Sequence, residues 1–133
     1  MIIMETAIQY YQDKLSFEMD PSDLFDLLEG KDNIIVIDAR KDFAFEREHI
    51  PGAINLPHRM MNSVSTAKLD KRGLYVVYCD GIGCNASTKG ALNLAKLGFS
   101  VKELIGGITW WKFDGYATEV SAEVEKSDIQ CAC

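Results

Sequence analysis

Two uninterrupted apolar runs organise the hydrophobic and polar pattern of this chain. "NIIVIDA", Asn33 to Ala39, and "GLYVVYC", Gly73 to Cys79, carry β-forming side chains at successive positions rather than at every second one. Strands of that kind belong in a parallel sheet covered on both faces, because a strand with one wet face alternates. Shorter extended pieces are expected at "LSFEM", at "AINL" after Pro51-Gly52, and at "SVKELIGG".

Helical patterns lie between these strands. "METAIQYYQDKL" reads as a short amphipathic helix with Ala7, Ile8, Tyr11 and Leu15 near one face. "DPSDLFDLLEG" is well signalled, with Asp20 as N-cap, Pro21 as first helical residue, Asp23 at the positive end of the dipole and Gly30 at the far end. "KDFAFEREHI", "ITWWKFDGY" and "TEVSAEVEK" read as short helices, and residues 58–70 as weakly helical. "NASTKGALNLAKLG" is a helix capped by Asn85 and closed by Gly98. Strands alternating with helices predict an α/β domain with a mostly parallel central sheet and right-handed crossovers.

The 133 residues fit one domain, and 47% hydrophobic content provides a core without disulfide staples. A net charge of −6 argues against nucleic acid or an anionic membrane as a general partner. The pattern shows neither a membrane span nor a signal peptide. Four cysteines, at 79, 84, 131 and 133, are too sparse for a disulfide scaffold and point to a reducing cytoplasm. The expected organisation is an N-terminal helical extension over 1–15 packed on the domain, one domain over 16–126, and a flexible cysteine-containing tail over 127–133.

The chemistry concentrates where "LYVVYC" ends. Ligands of open α/β sheets gather beyond the carboxyl ends of the strands, and Cys79 closes one of them. "DGIGC" then feeds the next helix. Gly81 and Gly83 allow several N–H groups to curl toward one point, and the helix start adds unpaired N–H groups with partial positive charge. A thiol in such a cradle is activated as a thiolate nucleophile, although Asp80 works against it. The residues alone leave two readings of Cys79 open, this one and a small buried hydrophobe.

Three segments carry a resemblance. "VIDARKDFAFEREHIPGAINLP", "VVYCDGIGCNAS…ALNLAKLGF" and "VKELIGGITWW" resemble, in order, the signature strand and loop, the active-site strand and helix, and the closing element of the rhodanese-like family. The resemblance covers about residues 16–115. It implies the rhodanese-like fold, a five-stranded mostly parallel sheet with helices on both faces. It also implies a sulfurtransferase in which Cys79 takes a sulfane sulfur as a persulfide and passes it to a thiol acceptor. The backbone of Asp80, Gly81, Ile82, Gly83, Cys84 and Asn85 would cradle that sulfur, with no cofactor and no metal. The implied partners are a small sulfur donor and a thiol acceptor, with no nucleic acid and no membrane, and a protein partner is possible.

Departures from the family pattern refine the expectation. Many members carry an arginine where Cys84 stands, and no basic residue lies between Cys79 and Lys89. Thiosulfate is therefore a poorer expectation than a persulfide or polysulfide donor. A cysteine with an arginine six residues on would mark a phosphatase relative, but position 85 is Asn. Cys84 is a candidate resolving thiol, forming a disulfide with Cys79 after sulfur transfer; simple packing at the helix start is its plainer reading. Lys89 is an auxiliary candidate, with a solvated helix-face lysine as its plainer reading. Asp38, Arg40, His49 and Trp111 are read as structural: Asp38 and Arg40 as a polar pair, with Arg40 reaching Glu46 or Glu48, His49 bonding its turn, and Trp111 in the core or pocket wall. His58 has no evident role. Cys131 and Cys133 read as a mobile tail or as a soft-metal or sulfur-accepting pair. Two other functions stay open: a catalytically silent rhodanese-like binding or regulatory module, and a Cys79/Cys84 redox switch.

Overall fold

The computed structural model describes residues 2–30 and 32–121. Five strands form one sheet: β1 (Glu18–Met19), β2 (Ile34–Asp38), β3 (Ile54–Asn55), β4 (Leu74–Tyr78) and β5 (Ser100–Leu104). Their order is β1-β5-β4-β2-β3, and every neighbouring pair is parallel. The two apolar runs of the sequence are adjacent central strands, with Ile34 opposite Leu74 and Asp38 opposite Tyr78. Helices are α1 (Ile2–Phe17), α2 (Pro21–Glu29), α3 (Asp42–Arg47), α4 (Ala86–Lys96) and α5 (Gly107–Phe113), with one 3-10 turn over His58–Met60.

Strand alternation sorts the core into two layers. Val36, Val76 and Tyr78 face one side, packed with Leu24, Ile108 and Trp111 from α2 and α5. Ile37, Tyr75, Val77 and Cys79 face the other, packed with Ala86 and Leu94 from α4. Cys79 continues the odd-numbered set past the last residue of β4, so its side chain falls on the α4 face.

Local signals explain most boundaries. Asp20 caps α2 by accepting from the Asp23 amide at 2.9 Å, with Pro21 in the first turn. Gly106 and Gly107 make the turn into α5, both at positive φ, and a side chain at Gly107 would sit 2.2 Å from the Cys79 carbonyl oxygen. Only glycine admits so close an approach of α5 to the end of β4.

Three expectations change. The face of α1 that carries Ile8, Tyr11 and Leu15 is not buried; these residues are 52%, 61% and 76% exposed. Residues 58–70 form the 3-10 turn and a series of tight turns, held by Asn62 with Ser65 and Thr66, which keep the chain from propagating an α-helix. The segment from Thr118 is extended, because Glu119 pairs with His49 in an antiparallel bridge; the remainder of "TEVSAEVEK", from 122, lies outside the described residues, as do Cys131 and Cys133. Among the described residues no helix is long and apolar enough to cross a membrane.

Candidate active site

Cys79 stands at the carboxyl end of β4, 2% exposed, and is a free thiol. Its Sγ lies 3.2 Å from the carbonyl oxygen of Cys84 and 3.3 Å from Ser87 Oγ. Ser87 donates to Glu103 Oε2 at 2.9 Å, and Thr88 donates to the same oxygen at 2.7 Å. With the Ser87 proton committed to a carboxylate, its oxygen is left to accept from the thiol. The sulfur therefore meets two acceptors.

This differs from the amide cradle expected from the sequence. The loop from Asp80 to Asn85 closes on itself instead, with the Cys84 amide donating to the Gly81 carbonyl at 3.2 Å. Gly83, at φ +96°, allows that turn. The six-residue connection is long enough to satisfy its own amide, and doing so swings the Cys84 carbonyl inward toward the sulfur. Asn85 occupies the cap position of α4 without a side-chain capping bond. Cys84 is disulfide-bonded, and not to Cys79, so the Cys79–Cys84 pairing is not the one this structure holds.

The loop roofs Cys79 and lines a shallow cleft of about 430 Å³ together with Thr109 and Trp110. Trp110 is 44% exposed and stacks on Phe113, with ring centroids 5.4 Å apart. On the other side of Asp80 and Thr109 lies a second cleft of about 630 Å³, lined by Arg40, Arg47, Glu48, Lys112 and Phe113 among others.

Arg40 anchors the loop from below. It pairs with buried Asp38 at 2.8 Å and with Asp80 at 3.1 Å, and donates to the Glu48 and Ala44 carbonyls. It thus reaches the Glu48 backbone rather than the carboxylate of Glu46 or Glu48. Burial opposes its charge, but the hydrogen bonds and charge of Asp38 outweigh that and raise its pKa. Tyr78 donates to Asp38 at 2.7 Å and accepts from the Ile50 amide at 3.1 Å. Burial, then the charge of Asp38, pushes this phenol far above its ordinary range.

His49 and Trp111 hold structure. His49 stacks on Phe45 with centroids 3.9 Å apart, contacts the Phe45 carbonyl at 2.8 Å through Nδ1, and pairs with Glu119 at 3.3 Å. Trp111 is buried beside Phe25 and Tyr116, and donates to the Ala117 carbonyl at 2.9 Å. Lys89 is exposed, and its charge is felt at His58. Burial first, then Lys89 and Arg59, lowers the His58 pKa. Among the described residues no three His, Cys, Asp or Glu side chains come together to hold a metal ion.

Sequence reasoning missed Ser87, Glu103, Thr109 and Arg47. The first was accessible to it: Ser87, Gly90 and Leu94 recur at helical spacing as buried residues of α4, on the face toward which strand alternation sends Cys79.

The family model of the rhodanese-like domain matches residues 20–114. The chain belongs to the rhodanese-like family. Among its relatives is the thiosulfate sulfurtransferase GlpE of Coxiella burnetii, 37% identical over 84 residues, which span 62% of this chain and 75% of that one. Its fold is similar to the crystal structure of the BH2092 protein from Bacillus halodurans, with a TM-score of 0.82 and 42% identity over 88% of this chain and 86% of the other. A protein from Lactobacillus plantarum follows at a TM-score of 0.74 and 26% identity, covering 86% of this chain and 98% of its own.

Proposed function

We propose that this rhodanese-like domain is a sulfurtransferase that carries sulfane sulfur on Cys79. The observation that carries the reading is the free thiol of Cys79 at the carboxyl end of β4, joined through Ser87 to Glu103. The relationship to a thiosulfate sulfurtransferase supports the same chemistry.

The steps balance without an oxidant. The Cys79 proton passes to Ser87 Oγ as the Ser87 proton passes to the Glu103 carboxylate, which leaves a thiolate. The thiolate attacks the outer sulfur of an organic persulfide; the Cys79 S–S bond forms, the donor S–S bond breaks, and the donor thiolate leaves with the electron pair and takes up a proton. An acceptor thiolate then attacks the outer sulfur and expels the Cys79 thiolate. Sulfur moves as a neutral atom between two nucleophiles.

Because Cys79 is 2% exposed, attack requires the 80–85 loop to shift from the sulfur. In the shifted loop the amides of residues 80–85 are the donors available to the persulfide anion. A persulfide donor fits better than thiosulfate, since the loop carries no cation of its own. A thiol, of a small molecule or a protein, is the acceptor.

The test is mass spectrometry of the intact protein after incubation with an organic persulfide, polysulfide or thiosulfate. The expected result is the gain of one sulfur atom, lost on addition of a thiol and absent in Cys79→Ser. A wild-type protein that never gains sulfur would leave a silent binding module. Sulfur retained by Cys79→Ser would move the chemistry to another cysteine.

A further inference from the structure

The 630 Å³ cleft between α3 and α5 holds more charge than the loop chemistry uses. Three basic side chains line it, Arg40, Arg47 and Lys112, against two acidic ones, Glu48 and Asp80. Arg40 is committed to Asp38 and Asp80, and Lys112 to Glu48 at 2.8 Å. Arg47 alone of these cations has no ion pair among the described residues. Its Nε is buried without a hydrogen-bond partner, and its Cζ lies 5.9 Å from the centre of the Phe43 ring. A guanidinium held against a ring presents its terminal nitrogens as a fixed fork, the geometry that takes a planar carboxylate through two parallel bonds.

The remaining walls are Ala44, Ile108, Thr109 and Phe113. Ile108 and Phe113 supply apolar surface for a carbon body, and the volume lies in the range of organic-ligand sites. Asp80 and Thr109 line this cleft and the one over the 80–85 loop alike. A ligand anchored at Arg47 therefore runs along α5 toward the residue that follows Cys79. The negative charge of Asp80 is offset there by Arg40.

We infer that this cleft binds a small organic thiol or persulfide through its carboxylate, with Arg47 as the anchor. The inference rests on the sulfurtransferase reading and names the substrate class it would use. Arg47 is a binding residue here, not a chemical participant. Inorganic thiosulfate lacks both the carbon body and the planar carboxylate that the cleft is shaped to hold.

Two measurements test it. In the first, 3-(methylthio)propanoate, a carboxylate that cannot transfer sulfur, is titrated against its methyl ester and followed by amide chemical shifts. Shifts at Thr109, Lys112 and Phe113 are expected for the acid, weakened about tenfold in Arg47→Gln and small for the ester. In the second, KM is compared for the persulfides of 3-mercaptopropionate and of 2-mercaptoethanol. The wild type is expected to favour the carboxylate donor about tenfold, and Arg47→Gln to abolish that preference. Phe113→Glu, at an exposed position of the cleft wall, is a second probe should Arg47→Gln fail to fold; it is expected to weaken the acid and spare the ester. An intact preference in a folded Arg47→Gln or in Phe113→Glu overturns the inference, as do shifts that map elsewhere. The two readings fail separately. Arg47-dependent binding of the thioether in a protein that never gains sulfur sinks the sulfurtransferase reading alone, and sulfur gain without Arg47 dependence sinks the cleft.

Discussion

Ser87→Ala isolates the hydrogen-bond chain from Cys79 to Glu103. Ser87 is 4% exposed, and its oxygen is the only atom between a sulfur 3.3 Å away and a carboxylate oxygen 2.9 Å away. Among the described residues, removing it leaves no side chain bonded to the thiol to carry the proton out, while Glu103 keeps its bond from Thr88 at 2.7 Å. Two hydrogen bonds and a small vacancy cost about 2 kcal/mol of stability, a fraction of a domain's total, so the domain stays folded. The kinetic effect is larger, because loss of a positioned proton acceptor costs about 10²-fold in rate. The assay is single-turnover persulfidation of Cys79, followed by quenched mass spectrometry from neutral to alkaline pH. Ser87→Ala is expected to be about 10²-fold slow near neutrality and to recover as pH rises, because hydroxide then takes the thiol proton directly. Ser87→Thr, which keeps a hydroxyl, is expected to retain most of the rate, and Glu103→Gln to follow Ser87→Ala. A folded Ser87→Ala with the wild-type rate across the pH range would refute the relay and reduce Ser87 to a packing residue.

Two further outcomes follow from the same geometry. Gly107→Ala places a Cβ 2.2 Å from the Cys79 carbonyl and 2.9 Å from Gly81 N at φ +58°, so a loss of about 3 kcal/mol or more is expected in urea denaturation, together with slower persulfidation from a displaced loop. Near-wild-type stability would show that α5 tolerates a wider separation. Glu48 titrates below its reference pKa of 4.5: burial opposes this, but the bonds from Lys112 and Thr118 outweigh it. A depressed carboxylate stabilises the fold fully above its unfolded pKa and loses that contribution as pH falls through the folded one. Glu48→Gln is therefore expected to flatten the decline in stability between about pH 5 and pH 3, by at most about 1 kcal/mol because the pair is partly solvated. An unchanged slope would dissociate Glu48 from acid unfolding.

The sequence spoke most clearly where both faces of an element are buried. β2 and β4 read as continuous apolar runs because helices cover the sheet on either side, and α2 announced itself through Asp20 and Pro21. β1 and β3 are two-residue edge strands, too short for a period to declare itself. The exposed face of α1 shows the limit of periodicity: the spacing of Ile8, Tyr11 and Leu15 predicts which residues share a face, not that anything covers it. At the site, the place of Cys79 was legible and its partners were not. Whether an amide or a carbonyl points at the sulfur depends on how a six-residue loop closes, and "DGIGCN" is compatible with either. Glu103 is brought to Ser87 only because β5 lies beside β4, a long-range pairing with no local signature. Arg47 looked like one more charge in a short acidic helix, and only the pairing of its neighbours with one another leaves it available.

These placements divide the work around one short segment. Strand alternation sends the sulfur to the α4 face, where Ser87 bonds it and bonds Glu103 in turn, the path of its proton in the proposed transfer. Arg40, on the opposite layer, holds Asp80 and with it the start of the loop. The cleft that contains Arg47 opens beyond that fixed point. A donor anchored there approaches along α5, whose turn is pressed against the end of β4 at Gly107, so its path is rigid up to Asp80. What separates it from the sulfur is the turn from Gly81 to Cys84, closed by a 3.2 Å amide-to-carbonyl bond and tied at its end by the Cys84 disulfide. Opening that turn releases the Cys84 amide from its own loop and withdraws the Cys84 carbonyl from the thiol in one motion. In the proposed transfer, the change that admits the donor also exchanges an acceptor for a donor beside the sulfur, the electrostatic environment a persulfide anion would require.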